Sequence, residues 1–459
     1  MPTECSQDSF DFGRVEGRAV VADFGGGTIT SDAGALLLSK TDRAVRLIDR
    51  FAACFGDHRS QELIEHTVRT LVGQRVIGIA LGYEDLVDHD RLRHDPVLAA
   101  MLGKLTPRRK DCAPLAGKST LSRLEHAPAE GSAHAPWRYH KIEHDAAAIE
   151  RLFVEVCLDA HKKPPPVMVV DLDATDMPLH GHQEERFFHG YYDCYCYLPL
   201  FVFSGRHLLA AKLRPSNRDA AAGSLEVVQQ IVAHVRERWP KQTILIRADS
   251  GFCREELMSW CEESGVHYVF GLARNARLVS EISSELDEAR AAAEATGRAA
   301  RVFKDFMWRT LDSWSRERRV VAKAEWTHGE ENPRFIVTSL HADSVDGAAL
   351  YEKIYCARGE MENRIKECQL DLLAGTMPAA TMRANQLRLW FAAMAYVLVS
   401  ALRRMALAGT ELARATCGTI RLKLLKIGAQ VTVSARRVRI ACASAFPAQT
   451  VFATAYRRL

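Results

Sequence analysis

Three acidic side chains stand at positions where a folded chain could bring them together. Asp173 ends the apolar run "VMVVDLD", Asp249 ends the similar run "TILIRAD", and Glu362 lies in the stretch "YCARGEMENRIKE". A carboxylate at the carboxyl end of a sheet strand points into the crevice where active sites form, and burying it unpaired is costly. Such groups pair with cations, and oxygen ligands favour Mg²⁺ or Mn²⁺. Three of them could hold two ions roughly 3.5–4 Å apart, an arrangement that cleaves phosphodiester bonds.

A second interpretation of the two aspartates stays open at this point. Asp173 and Asp249 could be helix caps or loop carboxylates, because Asp commonly occupies both kinds of position. Either residue alone would be ordinary. Both together, with a polar helical face in the same chain, are harder to explain in that way, so a metal-dependent nuclease stays open beside the capping interpretation.

That polar face belongs to the stretch that carries Glu362. The stretch has no Pro and is rich in good helix formers, so the sequence predicts a helix. Tyr355, Arg358, Glu362, Lys366 and Gln369 recur at steps of three and four residues, which places them on one helical face.

The two aspartates need a sheet to position them. Five segments are rich in β-branched and aromatic residues and predict strands: Val167–Asp173, "YCYLPLFVFSG", "HLLAAKLRP", Thr243–Asp249 and "HYVFGLA". Helices are predicted over Asp219–Arg238 and "REELMSWCEESG". Three early strands followed by alternating helices and strands predict an α/β fold with a mixed sheet and flanking helices.

Changes in composition and in predicted secondary structure along the chain predict four regions. A mostly helical N-terminal domain ends near the stiff linker "KKPPP", after a loop over "APAEGSAHAP". Strand-like segments after an Ala- and Glu-rich helix resemble an insertion into the sheet domain, and basic residues dominate the C-terminal segment. The predicted regions are 1–165 for the N-terminal domain, 166–273 and 341–410 for the sheet domain, 274–340 for the β-rich insertion and 411–459 for the basic segment.

The charge distribution indicates a kind of binding partner, and the cysteine content indicates a cellular compartment. The 459 residues carry a net charge of only +4, yet nine Lys or Arg and no Asp or Glu lie between Leu412 and Leu459. A basic segment of this kind indicates a polyanion such as nucleic acid, or else a solvated face. The twelve cysteines show no disulfide or zinc spacing, and no signal peptide is recognised, which predicts a cytoplasmic protein. The longest apolar run, Leu389–Leu402, is too short to span a bilayer and predicts a core helix.

Several motifs resemble those of one family. "DLDATDMPLHGHQ", "IRADSGF" and "YCARGEMENRIKE" are similar to the motifs of DDE transposases of bacterial insertion sequences, and more narrowly to the family named after insertion sequence thirteen-eighty. "FGGGTITSDAGALLL" near the N-terminus and "IRLKLLKIGAQVTVSARRVRI" near the C-terminus resemble the same family, so the resemblance covers nearly the whole chain.

The resemblance implies a catalytic triad. Its first acid falls on Asp173, with Asp171 as the competitor because both face the same side of the strand. The second acid falls on Asp249 and the third on Glu362. These three residues would bind Mg²⁺ or Mn²⁺, as two ions.

The third acid belongs to a Tyr-x-x-Arg-x-x-x-Glu-x-x-x-x-x-x-Lys signature. Tyr355 and Arg358 match it and would orient and neutralise the phosphate. Gln369 stands where the final Lys is expected, and Lys366, one turn earlier, would take its phosphate contact.

The implied fold is an RNase-H-like sheet interrupted by the β-rich insertion. The implied activity is metal-dependent DNA cleavage at the ends of the element, followed by strand transfer into target DNA. The implied partners are the terminal inverted repeats and target DNA, bound by a homodimer associated with the nucleoid and not with a membrane. An aromatic side chain of the insertion would stack on a flipped base, the candidates being Trp308, Trp314 and Trp326. The alternative, which is favoured for each of them, is that these tryptophans fill the small β core. A stand-alone nuclease and an inactive DNA-binding derivative are the alternatives.

Overall fold

The computed structural model describes residues 9–131, 141–327 and 329–459. They form two compact units. The first comprises the described residues of Met1–Ala127, Ala133–Glu143 and Met394–Leu459; the second comprises those of Pro128–Ser132 and His144–Ala393. The loop predicted over 127–136 therefore lies partly outside the described residues.

The N-terminal part of the first unit mixes short strands with helices. Its strands are β1 (Phe10–Val15), β2 (Arg18–Ala22), β3 (Ile29–Thr30), β4 (Phe55–Asp57) and β5 (Ile142–His144). Its helices are α1 (Leu36–Val45), α2 (Leu47–Ala52), α3 (Val68–Ala80), α4 (His89–Leu92), α5 (Pro96–Met101) and α6 (Lys118–Glu125). The predicted helical character holds from α1 onward, whereas the chain begins with the β1–β2 hairpin.

The second unit contains most of the remaining strands and helices. Its strands are β6 (Met168–Ala174), β7 (Met177–Pro178), β8 (Phe187–His189), β9 (Cys194–Tyr197), β10 (Leu200–Ser204), β11 (His207–Lys212), β12 (Ile244–Ala248), β13 (His267–Leu272), β14 (Ala300–Trp308), β15 (Arg318–Thr327), β16 (Glu330–Glu331) and β17 (Arg334–Thr338). Its helices are α7 (Ala146–Asp159), α8 (Ser224–Arg238), α9 (Glu255–Glu263), α10 (Ala276–Glu281), α11 (Ser283–Thr296), α12 (Gly347–Ala349) and α13 (Gly359–Lys366).

The chain then continues through one long helix into the C-terminal segment. The elements are α14 (Met382–Ala406), α15 (Cys417–Ile420), β18 (Ala429–Val433), β19 (Val438–Cys442) and α16 (Gln449–Arg458). By length and composition alone the whole of α14, with its 25 residues, could cross a membrane, whereas the apolar run predicted to be too short is only part of this helix. Because 83% of its most apolar window is buried inside the protein, α14 has the burial of a core helix.

A nine-stranded mixed sheet forms the centre of the second unit. Its order is β11-β10-β6-β12-β13-β17-β15-β14, with β16 paired to β15. β11, β10 and β6 are antiparallel neighbours, whereas β6, β12 and β13 run parallel. The prediction of a mixed sheet with flanking helices is confirmed.

Both faces of this sheet are covered, which explains the continuous apolar runs in its central strands. Ile244 and Ile246 of β12 join a core that includes residues of α7, α8 and α9. Leu245, between them, joins a second core on the other face with Leu350 and Tyr351. The chain segment that leads to Glu362 therefore packs on the second face.

The segment predicted as an insertion contains the predicted helix and antiparallel strands. These strands join the main sheet and do not form a separate sheet. β17 pairs with β13, β15 pairs with β17, and β14 pairs with β15, so these strands extend the main sheet. An exposed edge of β13 would leave backbone groups unpaired, and the added strands satisfy them. The four predicted functional regions remain predictions.

Candidate active site

The main sheet brings Asp173 and Asp249 to the same edge. β6 and β12 are parallel neighbours, and Arg247 of β12 lies opposite Asp171 of β6. Asp249 and Asp173 each follow two residues later, so the two carboxylates leave neighbouring strands at the same level.

Asp249 also caps a turn. Its Oδ1 accepts a hydrogen bond from the backbone N–H of Gly251 at 2.9 Å, at the start of the short 3₁₀ helix Ser250–Phe252. A carboxylate has two oxygens and about four acceptor sites, so capping leaves room for another ligand. The cap and the ligand interpretations of Asp249 are therefore compatible.

Asp173 is largely buried and lies close to the charges of Arg358 and Asp249. Arg358 Nη1 donates to its Oδ2 at 3.1 Å, and the two side chains are only 14% and 15% exposed for Arg358 and Asp173. Burial raises the pKa of Asp173 to about 6, against the pull of the Arg358 charge and with help from the negative charge of Asp249. The two aspartates are thus close enough to repel each other.

Arg358 contacts two of the three acidic residues, Asp173 and Glu362. Burial disfavours its charge, but the negative charges of Asp173, Asp249 and Glu362 outweigh burial and raise the pKa of Arg358 above its ordinary value. Its Nη2 lies 3.9 Å from Glu362 Oε1, and the Glu362 side chain is 54% exposed. Glu362 therefore stands at the rim of the group, linked to it through Arg358.

The raised pKa of Asp173 predicts a pH dependence of stability in the metal-free protein. Because the folded state holds this proton up to about pH 6 and the unfolded state only to the ordinary value of 3.8, the free energy of unfolding should fall as pH rises between these values. Urea denaturation with a chelator present, at several pH values, measures the decline. In Asp173→Asn this contribution should vanish, and identical pH profiles for both proteins would contradict the expectation.

The helix that carries Arg358 and Glu362 is not a regular α-helix. A π-helical turn over Leu350–Tyr355 leads into a 3₁₀ turn over Cys356–Arg358, then α13, then a second π-helical turn over Glu367–Asp371. Turns of different width interrupt the regular three-and-four spacing from which one face was predicted for the five signature positions, and the shared face stays a prediction. π-turns occur frequently at functional sites.

Tyr355 reaches the same edge of the sheet from the first π-turn. A Cβ placed on Gly271 of β13 would lie 2.7 Å from the Tyr355 hydroxyl and 2.8 Å from the Ser250 backbone nitrogen. Gly271 therefore leaves the space in which the Tyr355 hydroxyl sits beside the turn of Asp249. Burial raises the pKa of Tyr355, so its hydroxyl stays protonated at neutral pH.

Asp171 has a different environment from Asp173. Arg247 Nε and Nη2 bind its two oxygens at 2.7 and 2.8 Å, and both side chains are nearly buried. Arg247 Nη1 also donates to the Ile354 carbonyl at 2.5 Å. This pair therefore ties two strands of the sheet to the π-turn just before Tyr355.

Comparison with family models identifies the chain. The model described as "Transposase DDE domain group 1" matches residues 12–459. The chain belongs to this family of transposase DDE domains. Among solved structures, the DDE domain is similar to the piggyBac transposase in a cryo-EM structure of its synaptic complex with hairpin DNA, with 13% sequence identity, a TM-score of 0.40, and coverage of 86% of this chain and 80% of that chain. The comparison with curated proteins gave no match.

DDE transposase domains generally use divalent metals, and the chemistry of this DDE domain fits such a cation in part. Asp173 and Asp249 are oxygen ligands whose mutual repulsion a cation would relieve, as Arg358 does now. In 9–131, 141–327 and 329–459, no three His, Cys, Asp or Glu side chains gather closely enough to hold a metal. Asp173 and Asp249 leave neighbouring strands, whereas Glu362 stands at the rim and is linked to Asp173 through Arg358.

Lys366 and Gln369, the last two positions considered for the signature of the DDE domain, differ in their contacts. Lys366 is exposed. Gln369, which replaces the expected Lys, donates from Nε2 to the backbone carbonyl of Asp176 at 3.0 Å. The Gln369 side chain thus fastens the second π-turn to the loop that follows Asp173, which is a structural contact.

Two of the three tryptophans that were candidates for stacking on a flipped base lie in the core of the DDE domain. Trp308 and Trp314 are only 8% and 4% exposed and belong to the core of the second unit, as the favoured alternative expects. Trp326 is half-buried, and the guanidinium of Arg290 lies 5.1 Å from its ring centre. Aromatic side chains fill cores as readily as they stack on bases, and sequence alone does not separate the two uses.

Sequence reasoning also missed residues that shape the site of the DDE domain. The Asp171–Arg247 pair had a visible signal, because each residue interrupts an otherwise apolar strand. Gly271 in "HYVFGLA" had a weaker one, since a glycine inside a strand often marks a close approach.

Proposed function

We propose that this protein is the transposase of a bacterial insertion sequence of the thirteen-eighty family, which cuts DNA at the ends of its element and joins the freed ends to target DNA. The observation that carries the proposal is the placement of Asp173 and Asp249 on parallel neighbouring strands beside Arg358, in a chain of the transposase DDE family.

Strand order supports an RNase-H-like sheet within this proposal. Three antiparallel strands, β11-β10-β6, are followed by the parallel strands β12 and β13. In open sheets of this kind, ligands bind at the carboxyl ends of the strands where the strand order reverses. β6 is that reversal point here, and Asp173 stands near its carboxyl end.

Asp173, Asp249 and Glu362 would hold two Mg²⁺ or Mn²⁺ ions. When bound, such ions lower the pKa of an attacking water and stabilise the leaving oxygen. Asp171 is a poorer candidate than Asp173 because Arg247 already occupies both of its oxygens. Glu362, exposed and one turn beyond Arg358, would complete the site from the rim.

The cationic groups would act on phosphate. Arg358 would exchange its bond with Asp173 for the scissile phosphate, since guanidinium groups match phosphate oxygens in shape and charge. Tyr355, held beside the turn of Asp249, would orient the strand through its hydroxyl. Lys366 would neutralise a phosphate further along, because it is exposed on the same helix.

The substrates would be the terminal inverted repeats of the element and the target DNA. Joining two ends requires both at once, so we propose a homodimer on DNA, in the cytoplasm and near the nucleoid. Short inverted repeats bracketing the gene would support this proposal directly, and their absence would favour a stand-alone nuclease.

The basic C-terminal segment supplies a sequence-independent DNA contact in this proposal. Its β18–β19 hairpin pairs with β3 of the first unit, so the backbone of the segment is fixed to the protein. Arg436 and Arg437 lie in the turn of the hairpin and Arg439 in β19, and all three are exposed. Exposed arginines on a fixed hairpin suit phosphate contacts, which position DNA and carry little sequence information.

Changing Arg436, Arg437 and Arg439 to Ala should lower the slope of log affinity against log salt by about two to three, because each phosphate contact contributes about 0.9. DNA binding measured at several salt concentrations tests this. The triple Lys variant is the control, since it keeps the charges and should keep most of the slope. An unchanged slope in the Ala variant would show that the hairpin does not contact DNA.

The proposed activity is tested with a duplex that carries the DNA flanking the gene. With Mg²⁺, the protein should nick at the boundary of the element, and a chelator should prevent nicking. Cleavage at unrelated positions only would contradict the proposal.

A further inference from the structure

A cavity of about 570 Å³ lies in the first unit, between the turn that follows β4, the loop that follows α5, one face of α6 and the start of β5. Four basic side chains line it: Arg59, Arg109, Arg123 and Lys141. We call it the basic cavity. Cavities of this size bind small molecules and have room for a single nucleotide.

The acidic side chain of the lining, Glu65, already has its charge balanced. Its Oε1 accepts from Lys104 Nζ at 2.6 Å and from the Arg108 backbone N–H at 2.8 Å, and its Oε2 accepts from the Arg109 backbone N–H at 3.2 Å. Burial opposes the charge of Glu65, but these bonds outweigh burial and lower its pKa to about 2. Glu65 therefore fastens the loop that carries Arg109 and leaves the other basic charges of the cavity unopposed.

Two of the four basic side chains keep donors that their acidic neighbours do not use. Asp57 accepts from Nε and Nη2 of Arg59 at 2.8 and 2.7 Å, which orients the guanidinium and leaves Nη1 without a partner among the described residues. Asp111 lies 3.2 Å from Arg109, but the Arg109 and Asp111 side chains are 55% and 75% exposed. Ion pairs this exposed contribute little and exchange readily with a ligand.

The other two basic side chains have no acidic partner. Within 9–131, 141–327 and 329–459, the side chains of Arg123 and Lys141 form no hydrogen bond or ion pair, and both are exposed. Arg123 follows Thr120 by three residues on α6, and both line the cavity, so one helical face presents a guanidinium and a hydroxyl to it. Two positive charges are therefore free to meet an anion.

His66 adds a neutral donor to the lining. Burial lowers its pKa to about 4, and the positive charges of Lys104 and Arg59 add to the fall while Glu65 opposes it. Lys104 Nζ lies 3.5 Å from His66 Nδ1. Because an ammonium group only donates, this contact favours the tautomer that carries its proton on Nε2. His66 thus offers an N–H group at neutral pH.

The lining is also partly apolar, which a bare anion would not explain. Leu63 is 72% exposed, and Ile64 and Ile142 line the cavity with it. A ligand that carries an anionic group on a less polar body would cover this surface and gain from removing it from water. A sugar bearing a phosphate has that composition.

We propose that the basic cavity binds a phosphate group together with the sugar that carries it, as they occur in a DNA strand. The choice of a DNA strand rests on the proposed function, and a free nucleotide offers the same chemistry. Guanidinium groups match phosphate oxygens in shape and charge. Because the cavity has room for one sugar phosphate, it would hold the strand at one position and so fix where the first unit lies along the DNA.

The test removes the charge of one phosphate at a time from the DNA. The probe is the duplex that carries the DNA flanking the gene, with single phosphates replaced by uncharged methylphosphonate, and the full-length protein is used with a chelator to prevent cleavage. One replacement should weaken wild-type binding roughly 10- to 150-fold, as expected for losing hydrogen bonds to a charged group.

The double variant Arg123→Ala with Lys141→Ala identifies which replacement belongs to the cavity. It should bind the unmodified duplex roughly 10- to 150-fold more weakly and lose nothing more from that one replacement, because interacting groups are not additive. The matched control is Arg43→Ala with Lys163→Ala, which removes one exposed Arg and one exposed Lys that do not line the cavity. This control should stay sensitive to the replacement. The Gln pair at 123 and 141 keeps most of the side-chain length and should repeat the loss, and thermal unfolding should be unchanged in all three proteins.

Thymidine 5′-monophosphate separates the two sources of the phosphate. If it raises the melting temperature of the wild type but not of the Ala pair, and no replacement in the DNA depends on the cavity, the phosphate site stands and its source is a free nucleotide. If neither probe depends on Arg123 and Lys141, the inference is overturned. Competition by a glutamate-rich peptide, without an effect of any phosphate replacement, would overturn it in favour of an acidic protein segment.

Failure of this inference and failure of the proposed function give different results. A wild type that cuts DNA while no phosphate depends on the cavity would overturn the cavity alone. A wild type that shows the cavity-dependent phosphate without ever cutting DNA would overturn the proposed function alone.

Discussion

Asp249→Asn should abolish Mg²⁺-dependent strand cleavage while leaving DNA binding nearly intact. The carboxamide keeps the shape of the side chain and can still accept the hydrogen bond from Gly251 N–H, so the turn should survive. It loses the charge that a hard divalent cation requires. Asp173→Asn and Glu362→Gln should behave in the same way as Asp249→Asn, although the three acids belong to three different segments of the chain.

The measurement is nicking of an end-bearing duplex alongside a gel shift of the same DNA. Ser250→Ala is the matched control, because it changes the exposed neighbour of Asp249 without removing a carboxylate. The catalytic assignment fails for any of the three acids whose variant retains more than about one tenth of wild-type cleavage, since loss of a charged ligand should cost far more.

Asp171→Ala should lower the free energy of unfolding by about 3–5 kcal/mol, because it leaves the Arg247 guanidinium buried without its counter-charge. The Arg247 side chain also holds the Ile354 carbonyl, so its displacement should disturb the turn that presents Tyr355 and Arg358. Urea denaturation of the full chain measures the loss.

The double variant Asp171→Leu with Arg247→Met is the control for this pair. Replacing both partners by apolar side chains of similar size removes the unpaired charge and should restore much of the stability. A single Asp171→Ala variant as stable as the wild type would show that the pair is not a structural tie, and would return Asp171 to consideration as a catalytic acid.

The strands that position the site could be predicted closely from the sequence. The run from Val167 to Asp173 is continuous and apolar because both faces of the sheet are covered, and it became β6, Met168–Ala174. Thr243–Asp249 became β12 in the same way. The two strands pair in parallel within the mixed sheet that the alternation of strands and helices predicted, although their pairing itself was not predicted.

The geometry of the signature helix could not be predicted in this way. Local propensity favours an α-helix over the whole stretch, whereas π-turns precede and follow α13. One long-range contact that acts there is the bond from Arg247 to the Ile354 carbonyl, which joins residues separated by 107 positions. Contacts of that kind leave no periodic signal in the sequence, so the sequence could not predict the π-turns, although Tyr355 and Arg358 do reach the edge near Asp249.

The sequence also does not separate aromatic side chains that are buried from those that are exposed. Tryptophans in the strand-rich segment and tyrosines after Asp173 were equally visible in the sequence. The structure distinguishes them, because Trp314 packs in the core and Tyr191 is exposed to solvent.

The most direct test of the central claim is a joining reaction. The purified protein, Mg²⁺, a linear duplex bearing the DNA that flanks the gene, and a supercoiled plasmid are incubated together, and the junctions are sequenced. A transposase should produce plasmids joined to the exact 3′ ends of the element, and the Asp249→Asn protein should produce none. Nicked or linearised DNA without any joined ends would contradict the account and identify a nuclease instead.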